Sequence, residues 1–311
     1  MNIKELGGEF QFINRIKKKS KNKNVIVDIG DDCAVTEYNE DSYHLYTTDM
    51  LVEGDHFSLD YFSPYQIGIK VMESNTSDIA AMGGKPVYSL ISISLKEDTT
   101  VEFIDGVYNG INEICERYNF DLIGGDTTHG EKIVISLTLI GQVDKNKLKM
   151  RSDAEIGDLI VVSGPLGGST AGLKLFLNNI DGFDNIKKYH TNPISEIKNL
   201  PKILPVAKAM EDVSDGLASE IRNICKMSKV GAKIFREKIP LNKGIKKSSS
   251  LLDDDPYDYA LFGGEDFKLV YTVNKKDRHK IYGTVVGEII KGEKILLDGK
   301  ELKNYGYDHF S

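Results

Sequence analysis

Apolar and polar positions follow two recurring patterns along the chain: short runs rich in β-branched residues, and longer stretches with helical spacing. The short runs are typical of strands. In the first half of the chain they predict strands at residues 25–29, 43–47, 87–95 and 133–143. The longer stretches between them predict helices, so the pattern indicates an α/β fold.

Two helices are predicted in this first half. Pro64 is a favourable first residue for a helix, and the helical spacing continues to about Met82. Gly83 and Gly84 follow, and glycines are typical of a helix end. A second helix is predicted over residues 101–118.

The pattern restarts in the second half of the chain. A strand at 159–163 runs through a glycine-rich segment into a helix at 169–177, and another helix follows Asp215. Further strands are predicted at 267–273 and 285–290, a hairpin at 296–302 and an exposed polar loop at 243–258. We therefore expect two α/β domains, residues 1–148 and 149–311.

Composition narrows the class of protein. Charged residues make up 28% of the chain, the mean hydropathy is -0.29 and the formal net charge is -7, values typical of soluble globular proteins. No apolar run approaches the ~18 residues of a membrane span, and the polar N-terminal stretch lacks the apolar core of a signal peptide. The basic run at 17–23 is interpreted as a solvated loop, because the chain as a whole is acidic. We expect a cytoplasmic protein with no nucleic-acid or membrane partner.

Cysteine and histidine do not suggest a metal or disulfide framework. Cys33, Cys115 and Cys225 are far apart and form no CxxC pair, and the six histidines lack zinc-ligand spacing.

Acidic residues, in contrast, concentrate in short clusters beside glycines and at predicted strand ends. Asp31 and Asp32 follow Gly30 after the first strand, and Asp49 lies at the end of the second. Such aspartates can simply cap turns, but carboxylate and hydroxyl oxygens at strand ends are also suitable ligands for Mg²⁺. Asp78 lies inside the first predicted helix with no Lys or Arg three or four residues away. Because an unpaired carboxylate in a packed helix is costly, a metal partner is favoured over a salt bridge.

Three further acidic motifs follow along the chain. Residues 122–126 lead a strand into two glycines and an aspartate, where the backbone could approach a phosphate closely. In residues 211–216, a helix N-cap accounts for one side chain but not also for Asp212. Residues 263–266 give a weaker signal, because glycine turns with acids are common. Together the motifs favour a phosphate site with several metal ions.

The nucleotide signatures of other classes are absent from the sequence. It contains no GxxxxGK[ST], no GxGxxG and no protein-kinase catalytic loop. The segment 164–172 resembles a P-loop superficially but lacks a lysine directly after its last glycine.

In their order along the chain, these motifs resemble those of the thiamine-monophosphate kinases, a family of the aminoimidazole-ribonucleotide-synthetase-like superfamily. The match runs from GEF at 8–10 through GDD, TTD, NTSDIAAMG, GGDTT, SDGL and GGED to residues 306–310. Asp28 departs from the family, which usually has glycine there. The resemblance implies a homodimer with a dimerising N-terminal α/β domain and a C-terminal α/β domain. It also implies that ATP and thiamine monophosphate are converted to ADP and thiamine diphosphate.

The resemblance further implies a role for individual residues. The implied Mg²⁺ ligands are Asp32, Thr47, Thr48, Asp49, Asp78, Asp126, Asp212 and Asp215. The implied ATP contacts are Tyr108, Gly125, Asp126, Arg151 and Ser214. The implied contacts to thiamine monophosphate are His56, Glu265 and a C-terminal aromatic residue, Tyr305 or Tyr307. Asp49, Asp78 and Asp126 are expected to act in catalysis through bound metal. No general base is expected, because the acceptor phosphate, with a second pKa near ~6, is already mostly deprotonated.

Simpler interpretations stay open for several of these residues. His56 could be structural or solvated, Tyr108 could equally be a core residue, and the C-terminal aromatic residues could merely hold the tail in place.

Other functions also stay open. Within the superfamily, the alternatives are an aminoimidazole-ribonucleotide synthetase, a selenophosphate synthetase and a hydrogenase-maturation dehydratase. The last two would need an N-terminal and a C-terminal cysteine respectively, and the sequence has neither. Outside it, the alternatives are a non-catalytic Ca²⁺- or nucleotide-binding module and a metal-dependent phosphatase.

Overall fold

The computed structural model describes residues 3–6, 8–303 and 306. Within that range the α-helices are α1 (Ile3–Leu6), α2 (Glu9–Ile16), α3 (Pro64–Ala81), α4 (Val101–Tyr118), α5 (Gly168–Leu177), α6 (Asp184–Thr191), α7 (Leu200–Ile203), α8 (Leu217–Ser228), α9 (Ile245–Ser250) and α10 (Pro256–Phe262). The strands are β1 (Val25–Val27), β2 (Ala34–Glu37), β3 (Ser42–Val52), β4 (Lys85–Leu95), β5 (Asp121–His129), β6 (Val134–Asp144), β7 (Leu159–Val162), β8 (Ala207–Asp212), β9 (Gly231–Ile234), β10 (Leu269–Val273), β11 (Thr284–Ile290), β12 (Ile295–Leu297) and β13 (Lys300–Glu301).

The first half of the chain builds a six-stranded sheet in the order β1-β2-β3-β6-β4-β5. The pair β4–β5 is parallel and the other neighbours are antiparallel. Helices α3 and α4 pack against each other and bury one face of this sheet, where Leu45, Ile91 and Leu137 belong to the core. The opposite face is left largely exposed, with Met50 53% and Tyr88 44% accessible.

Local sequence signals explain where the two long helices begin and end. Ser63 forms a capping box with Gln66, directly before Pro64 at the first turn of α3. The chain leaves α3 at Gly83, whose φ of 76° favours glycine. Helix α4 begins after Thr100, whose side chain accepts a hydrogen bond from Phe103 N. The predictions for both helices are therefore confirmed.

The second half of the chain builds a seven-stranded sheet in the order β13-β12-β9-β11-β7-β10-β8. Its neighbours are antiparallel except for the pair β12–β9. The predicted hairpin is confirmed as β12–β13, with Asp298 and Gly299 both at positive φ in its turn. Strand β8 lies at the edge of this sheet, and α3 of the first domain packs against it. This contact brings the carboxyl end of β8 close to the C-terminal part of α3, where Ser77 lies.

The prediction of an exposed loop at 243–258 is wrong. Helix α9 and the first residues of α10 lie there, because Asp255 caps α10 by accepting a hydrogen bond from Tyr257 N. Ile245 and Tyr257 are buried and hold both helices against the domain. The basic run at 17–23 is exposed outside regular structure, as predicted. The domain boundary at 148/149 stays a prediction.

Among the described helices, none combines the length and apolarity that a bilayer span requires.

Candidate active site

Three carboxylates from distant parts of the sequence converge where the two domains meet. Asp32 follows β1, Asp78 lies in α3 and Asp212 ends β8. Each offers an oxygen, and these three oxygens all lie within 4.8 Å of one another. We call these three residues the acidic centre.

Neighbouring hydroxyl groups orient two of these carboxylates. The Thr47 hydroxyl donates to Asp78, and Ser77 Oγ donates to Asp212 Oδ2 at 2.6 Å. Asp32 Oδ2, in contrast, is buried and has no hydrogen-bond partner in the part of the chain that the structure describes. A buried carboxylate oxygen without a partner is costly unless a cation or water satisfies it.

The electrostatics of the acidic centre also favour a cation. Burial raises the pKa of Asp78, and the charges of Asp49 and Asp212 raise it further. Burial and the Asp32 charge raise the pKa of Asp212 in the same direction. Burial and the adjacent Asp32 raise the pKa of Asp31 to about 7. The donor set consists of hard oxygens held close together, which fits Mg²⁺.

Arg151 supplies the positive charge at one side of the acidic centre. Its Nη2 lies 2.6 Å from Asp32 Oδ1 and 2.9 Å from Glu211 Oε1, and its Nε lies 3.6 Å from Asp31 Oδ1. Its side chain remains 19% exposed. The residue predicted to contact ATP therefore holds the loop of Asp31 and Asp32 in place and keeps a limited surface open to a ligand.

The predicted ligands on β3 point to both faces of the sheet. Thr47 is buried beside Asp78, whereas the next residue, Thr48, is exposed and donates to the Leu137 carbonyl at 3.0 Å. Asp49 shares the helix-covered face with Thr47, and its backbone N–H donates to Asn75 Oδ1 at 3.2 Å. The structure thus brings Thr47 and Asp49 towards the acidic centre but not the Thr48 side chain.

Asp126 is not part of the acidic centre. It lies opposite Ser92 on β4, in a row that continues through Ser136 to Met50. Residues in such a row share one face of the sheet, and this is the exposed face. Within one chain, Asp126 therefore lies on the other side of the sheet from Asp49.

Gly125 has a steric reason to be glycine. A Cβ at this position would come within 1.9 Å of the Ile91 carbonyl oxygen of the neighbouring strand. The close approach of β4 and β5 is thus sufficient to require glycine, independently of any ligand.

Of the remaining predicted nucleotide and metal residues, Ser214 and Asp215 come shortly after Asp212 in the chain, whereas Tyr108 lies on α4. Asp215 follows β8, and its N–H donates to Glu220 Oε1 at 2.8 Å. The Ser214 carbonyl accepts from Glu265 N at 2.8 Å, which joins the SDGL and GGED motifs. Tyr108 is half-buried on α4 and packs against the core of the first domain, as its simpler interpretation predicts.

The residues predicted to contact the acceptor meet at a buried lysine. Lys70 Nζ donates to the His56 carbonyl at 2.7 Å and lies 2.7 Å from Glu265 Oε1. The His56 ring itself accepts from Val52 N at 3.1 Å. Tyr305 and Tyr307 lie outside the described residues, so their predicted role stays a prediction.

In the segment that resembles a P-loop, a carboxylate of the protein binds the backbone N–H groups that a phosphate would bind in a P-loop. This segment leads into α5, and the carboxylate of Asp266 accepts hydrogen bonds from Gly167 N and Ser169 N. A helix N-terminus attracts anions, and here a side chain of the chain occupies that position. The absence of the P-loop lysine in the sequence is consistent with this arrangement.

Sequence reasoning missed several residues of the site. Asp31 and Glu211 stood in the motifs already singled out, and their position beside Asp32 and Asp212 was the available signal. The pairing of Lys70 with Glu265 joins residues 195 positions apart, and no local pattern signals such a contact.

A large cavity lies away from the acidic centre. A cavity of about 1210 Å³ lies near the start of β8, between residues such as Gly84, Lys149 and Lys208. The acidic centre includes Asp212 at the other end of that strand and does not line this cavity.

Comparisons with known proteins cover nearly the whole chain. The family described as "AIR synthase related protein, N-terminal domain" matches residues 30–143, and its C-terminal counterpart matches residues 155–295. The thiamine-monophosphate kinase of Aquifex aeolicus is 37% identical over 315 residues, with 100% of both chains covered. The Bacillus subtilis thiamine-monophosphate kinase is 36% identical over 279 residues, with 86% of this chain and 84% of that protein covered. The solved structure of AaThiL complexed with AMPPCP and TMP has a TM-score of 0.91 at 37% identity, with 100% of this chain and 99% of that chain covered.

Proposed function

This chain belongs to the thiamine-monophosphate kinase family of the AIR-synthase-related proteins, and we propose that it phosphorylates thiamine monophosphate with ATP. The products are thiamine diphosphate and ADP. The observation that carries the proposal is the acidic centre, in which Asp32 Oδ2 is buried without a partner among the described residues.

The chemistry requires two polyanions to meet. An oxygen of the acceptor phosphate forms a bond to the γ-phosphorus of ATP while the bond from that phosphorus to the ADP oxygen breaks, in line and without a phospho-enzyme. The acceptor phosphate is already mostly deprotonated at neutral pH, so no side chain needs to act as a base. When bound, several Mg²⁺ ions would screen the repulsion and stabilise the transferred charge.

The protein's own contribution is to hold and orient the ligands of these ions. The residues proposed to hold Mg²⁺ in and beside the acidic centre are Asp32, Thr47, Asp49, Asp78, Asp212 and Asp215. Thr48 and Asp126 lie on the opposite face of the first sheet, so they are proposed to hold Mg²⁺ at a site between subunits. Hydroxyl donors fix the carboxylates of Asp78 and Asp212, and Arg151 fixes that of Asp32. Since the carboxylates are positioned before a ligand arrives, little reorganisation is needed.

The exposed face of the first sheet supports a homodimer. Tyr46, Met50, Tyr88 and Leu90 are between 37% and 53% exposed on this face, and β5 forms an open edge. Exposed apolar surface and an unpaired edge strand are typical of an interface. Asp126 lies on the same face, so a partner subunit packed there would bring Asp126 to a site between the subunits.

The test of the activity is the formation of thiamine diphosphate from Mg·ATP and thiamine monophosphate, followed by chromatography. We expect the unmodified protein to form it and a folded Asp49→Asn variant to lose that activity. If ATP is bound without any product, the chain is a binding module or a sister enzyme with another acceptor. Phosphate release without ATP would indicate a phosphatase.

Mixing two inactive variants tests whether the sites are shared between subunits. If Asp126 acts across the interface, equal amounts of Asp78→Asn and Asp126→Asn should exchange subunits and recover up to about a quarter of the unmodified activity. This follows because half of the dimers are mixed and one of their two sites is intact. A mixture that exchanges subunits and stays inactive contradicts the shared site.

A cytoplasmic location also stays a prediction.

A further inference from the structure

One stripe of helix α3 is polar where it faces the second domain. Gln66, Lys70, Glu73 and Ser77 recur at spacings of four, three and four residues, which places them on the same side of the helix. Their partners in the second domain are Asn192 Oδ1 at 2.9 Å, Glu265 Oε1 at 2.7 Å, Ser195 N at 2.9 Å and Asp212 Oδ2 at 2.6 Å, respectively. Through this stripe, the first domain forms polar contacts with the second domain.

Lys70 is the cation of the stripe and is almost completely enclosed. Its side chain is 1% exposed, and its ammonium group lies 2.7 and 2.9 Å from the two oxygens of Glu265. The third contact is the His56 carbonyl at 2.7 Å, and the Phe62 ring centroid lies 5.2 Å away. Burying an ammonium group is costly unless its donors are satisfied. The three oxygens around Lys70 Nζ can accept hydrogen bonds from all three of its N–H donors.

The segment that carries Glu265 is held in a narrow conformation. Glu265 itself has φ of 61°, which is unfavourable for a residue with a side chain. A Cβ at Gly264 would come within 2.0 Å of the Ser214 carbonyl oxygen, and one at Gly263 within 2.0 Å of Thr170 Oγ1. Close packing thus fixes the backbone of this segment. The ion pair with Lys70 then sets the direction of the Glu265 carboxylate.

His190 also faces Glu265 but does not replace Lys70. His190 Nδ1 lies 3.4 Å from Glu265 Oε2, but burial lowers the pKa of His190 to about 3. Its ring is therefore neutral at physiological pH and supplies no charge. Lys70 holds the Glu265 carboxylate from one domain and the His56 segment of the other with a single ammonium group.

We propose that Lys70 is a positioning residue for the acceptor: it fixes Glu265 and the His56 segment in one arrangement across the domain boundary, so that binding of thiamine monophosphate depends on it while binding of ATP does not. This inference rests on the proposed function and deepens it. It assigns acceptor recognition to a contact between the domains.

Lys70→Met tests the proposal. We expect calorimetry to show binding of thiamine monophosphate weakened by about tenfold or more, as for a buried charge pair that loses one partner. KM for thiamine monophosphate should rise by a similar factor, and KM for ATP should stay within about twofold. Lys70→Arg keeps the charge and should recover part of the loss.

Lys174→Met is the matched control. Lys174 also combines an ion pair, to Asp254 at 2.6 Å, with an aromatic ring, that of Tyr259 at 5.0 Å. It lies within the second domain, so its loss should leave both KM values unchanged. An equal rise of both KM values in Lys70→Met would show general damage and overturn the proposal.

A double-mutant cycle tests whether Lys70 acts through Glu265. If it does, Lys70→Met combined with Glu265→Gln should bind thiamine monophosphate about as weakly as the worse single variant. Fully additive losses would overturn the proposal. If Lys70→Met does not fold, the same cycle is measured with Lys70→Arg.

The two possible failures are distinguishable. If the unmodified protein neither binds nor phosphorylates thiamine monophosphate, the proposed function falls and this inference falls with it. If the unmodified protein does both and Lys70→Met matches it, only the inference about Lys70 falls.

Discussion

The acidic centre and the amino end of α5 both gather polar groups at the ends of secondary-structure elements, and their electrostatic balance is opposite. At α5, the backbone donors Gly167 N and Ser169 N are already bound to Asp266. In the acidic centre, three carboxylates face one another, and Asp32 Oδ2 is without a partner in the described chain. Polar groups that lack a partner within the protein therefore indicate a ligand site better than polar groups that are already paired.

The sequence alone suggests the opposite: that the segment before α5 binds a ligand and that the aspartates of the acidic centre only form turns. The glycines of 164–172 are typical of a phosphate loop, whereas an aspartate beside a glycine is typical of an ordinary turn. Only the three-dimensional neighbours show that the first region is complete and the second is not. Variants that alter the charge balance of each region test this difference.

Arg151→Met should give the largest loss of stability. It removes the cation that lies against Asp32 and Glu211, and removing one partner of a buried ion pair costs about 3–5 kcal/mol. Denaturant unfolding without metal measures the free energy of unfolding. Arg236→Met is the control, because the Arg236 pair with Asp255 lies at the surface and is worth about 0–1 kcal/mol. Equal losses in the two variants would contradict the buried role of Arg151.

The metal-free protein should lose stability as pH rises, and Mg²⁺ should restore it. Burial and Asp32 raise the pKa of Asp31 from 3.8 to about 7. Between these values the folded state binds more protons than the unfolded state, so the free energy of unfolding falls as pH increases. Between these two pH values the loss is on the order of 4 kcal/mol for one such carboxyl group.

Thermal unfolding with and without Mg²⁺ measures this effect. Mg²⁺ should raise Tm more at about pH 8 than at about pH 5.5. Burial raises the pKa of Asp78 and of Asp212 as well, so protons and the cation compete for the acidic centre. A sodium salt of equal ionic strength is the control. An equal rise of Tm at both pH values would contradict a metal site in the acidic centre.

Asp266→Ala should give the smallest effect and the sharpest contrast. The variant removes the acceptor for two N–H groups at the start of α5, which costs about 1–2 kcal/mol. Inorganic phosphate should then raise the Tm of this variant more than that of the unmodified protein, because the helix N-terminus becomes free to bind an anion. Asp255→Ala, which removes the cap of the short helix α10, is the control. If phosphate has the same effect on all three proteins, Asp266 does not occupy an anion position.

Much of the fold could be predicted, because its signals are local. Pro64 and Thr100 mark the starts of α3 and α4, and the turn at Asp298 and Gly299 marks the last hairpin. The loop predicted at 243–258 was wrong, because burial of a few apolar residues in a polar segment is decided by tertiary packing.

The site could be predicted only in outline. The motifs identified Asp32, Asp78 and Asp212, but not which neighbours share their face of a sheet. Asp126 lies on the exposed face because of strand register, and register depends on pairing across the sheet. The contact of Lys70 with Glu265 depends on how two domains pack, so the sequence gives no local signal for it.

The most direct test of the account is the number of Mn²⁺ ions bound at equilibrium, measured by electron paramagnetic resonance with the ATP analogue AMPPCP present. The unmodified protein and Asp78→Asn are compared, with Asp144→Asn as the control because Asp144 forms an exposed pair with Lys147. The account predicts that folded Asp78→Asn loses at least one bound Mn²⁺ and that Asp144→Asn loses none. Equal Mn²⁺ binding by Asp78→Asn and the unmodified protein would contradict the assignment of the acidic centre as the metal site.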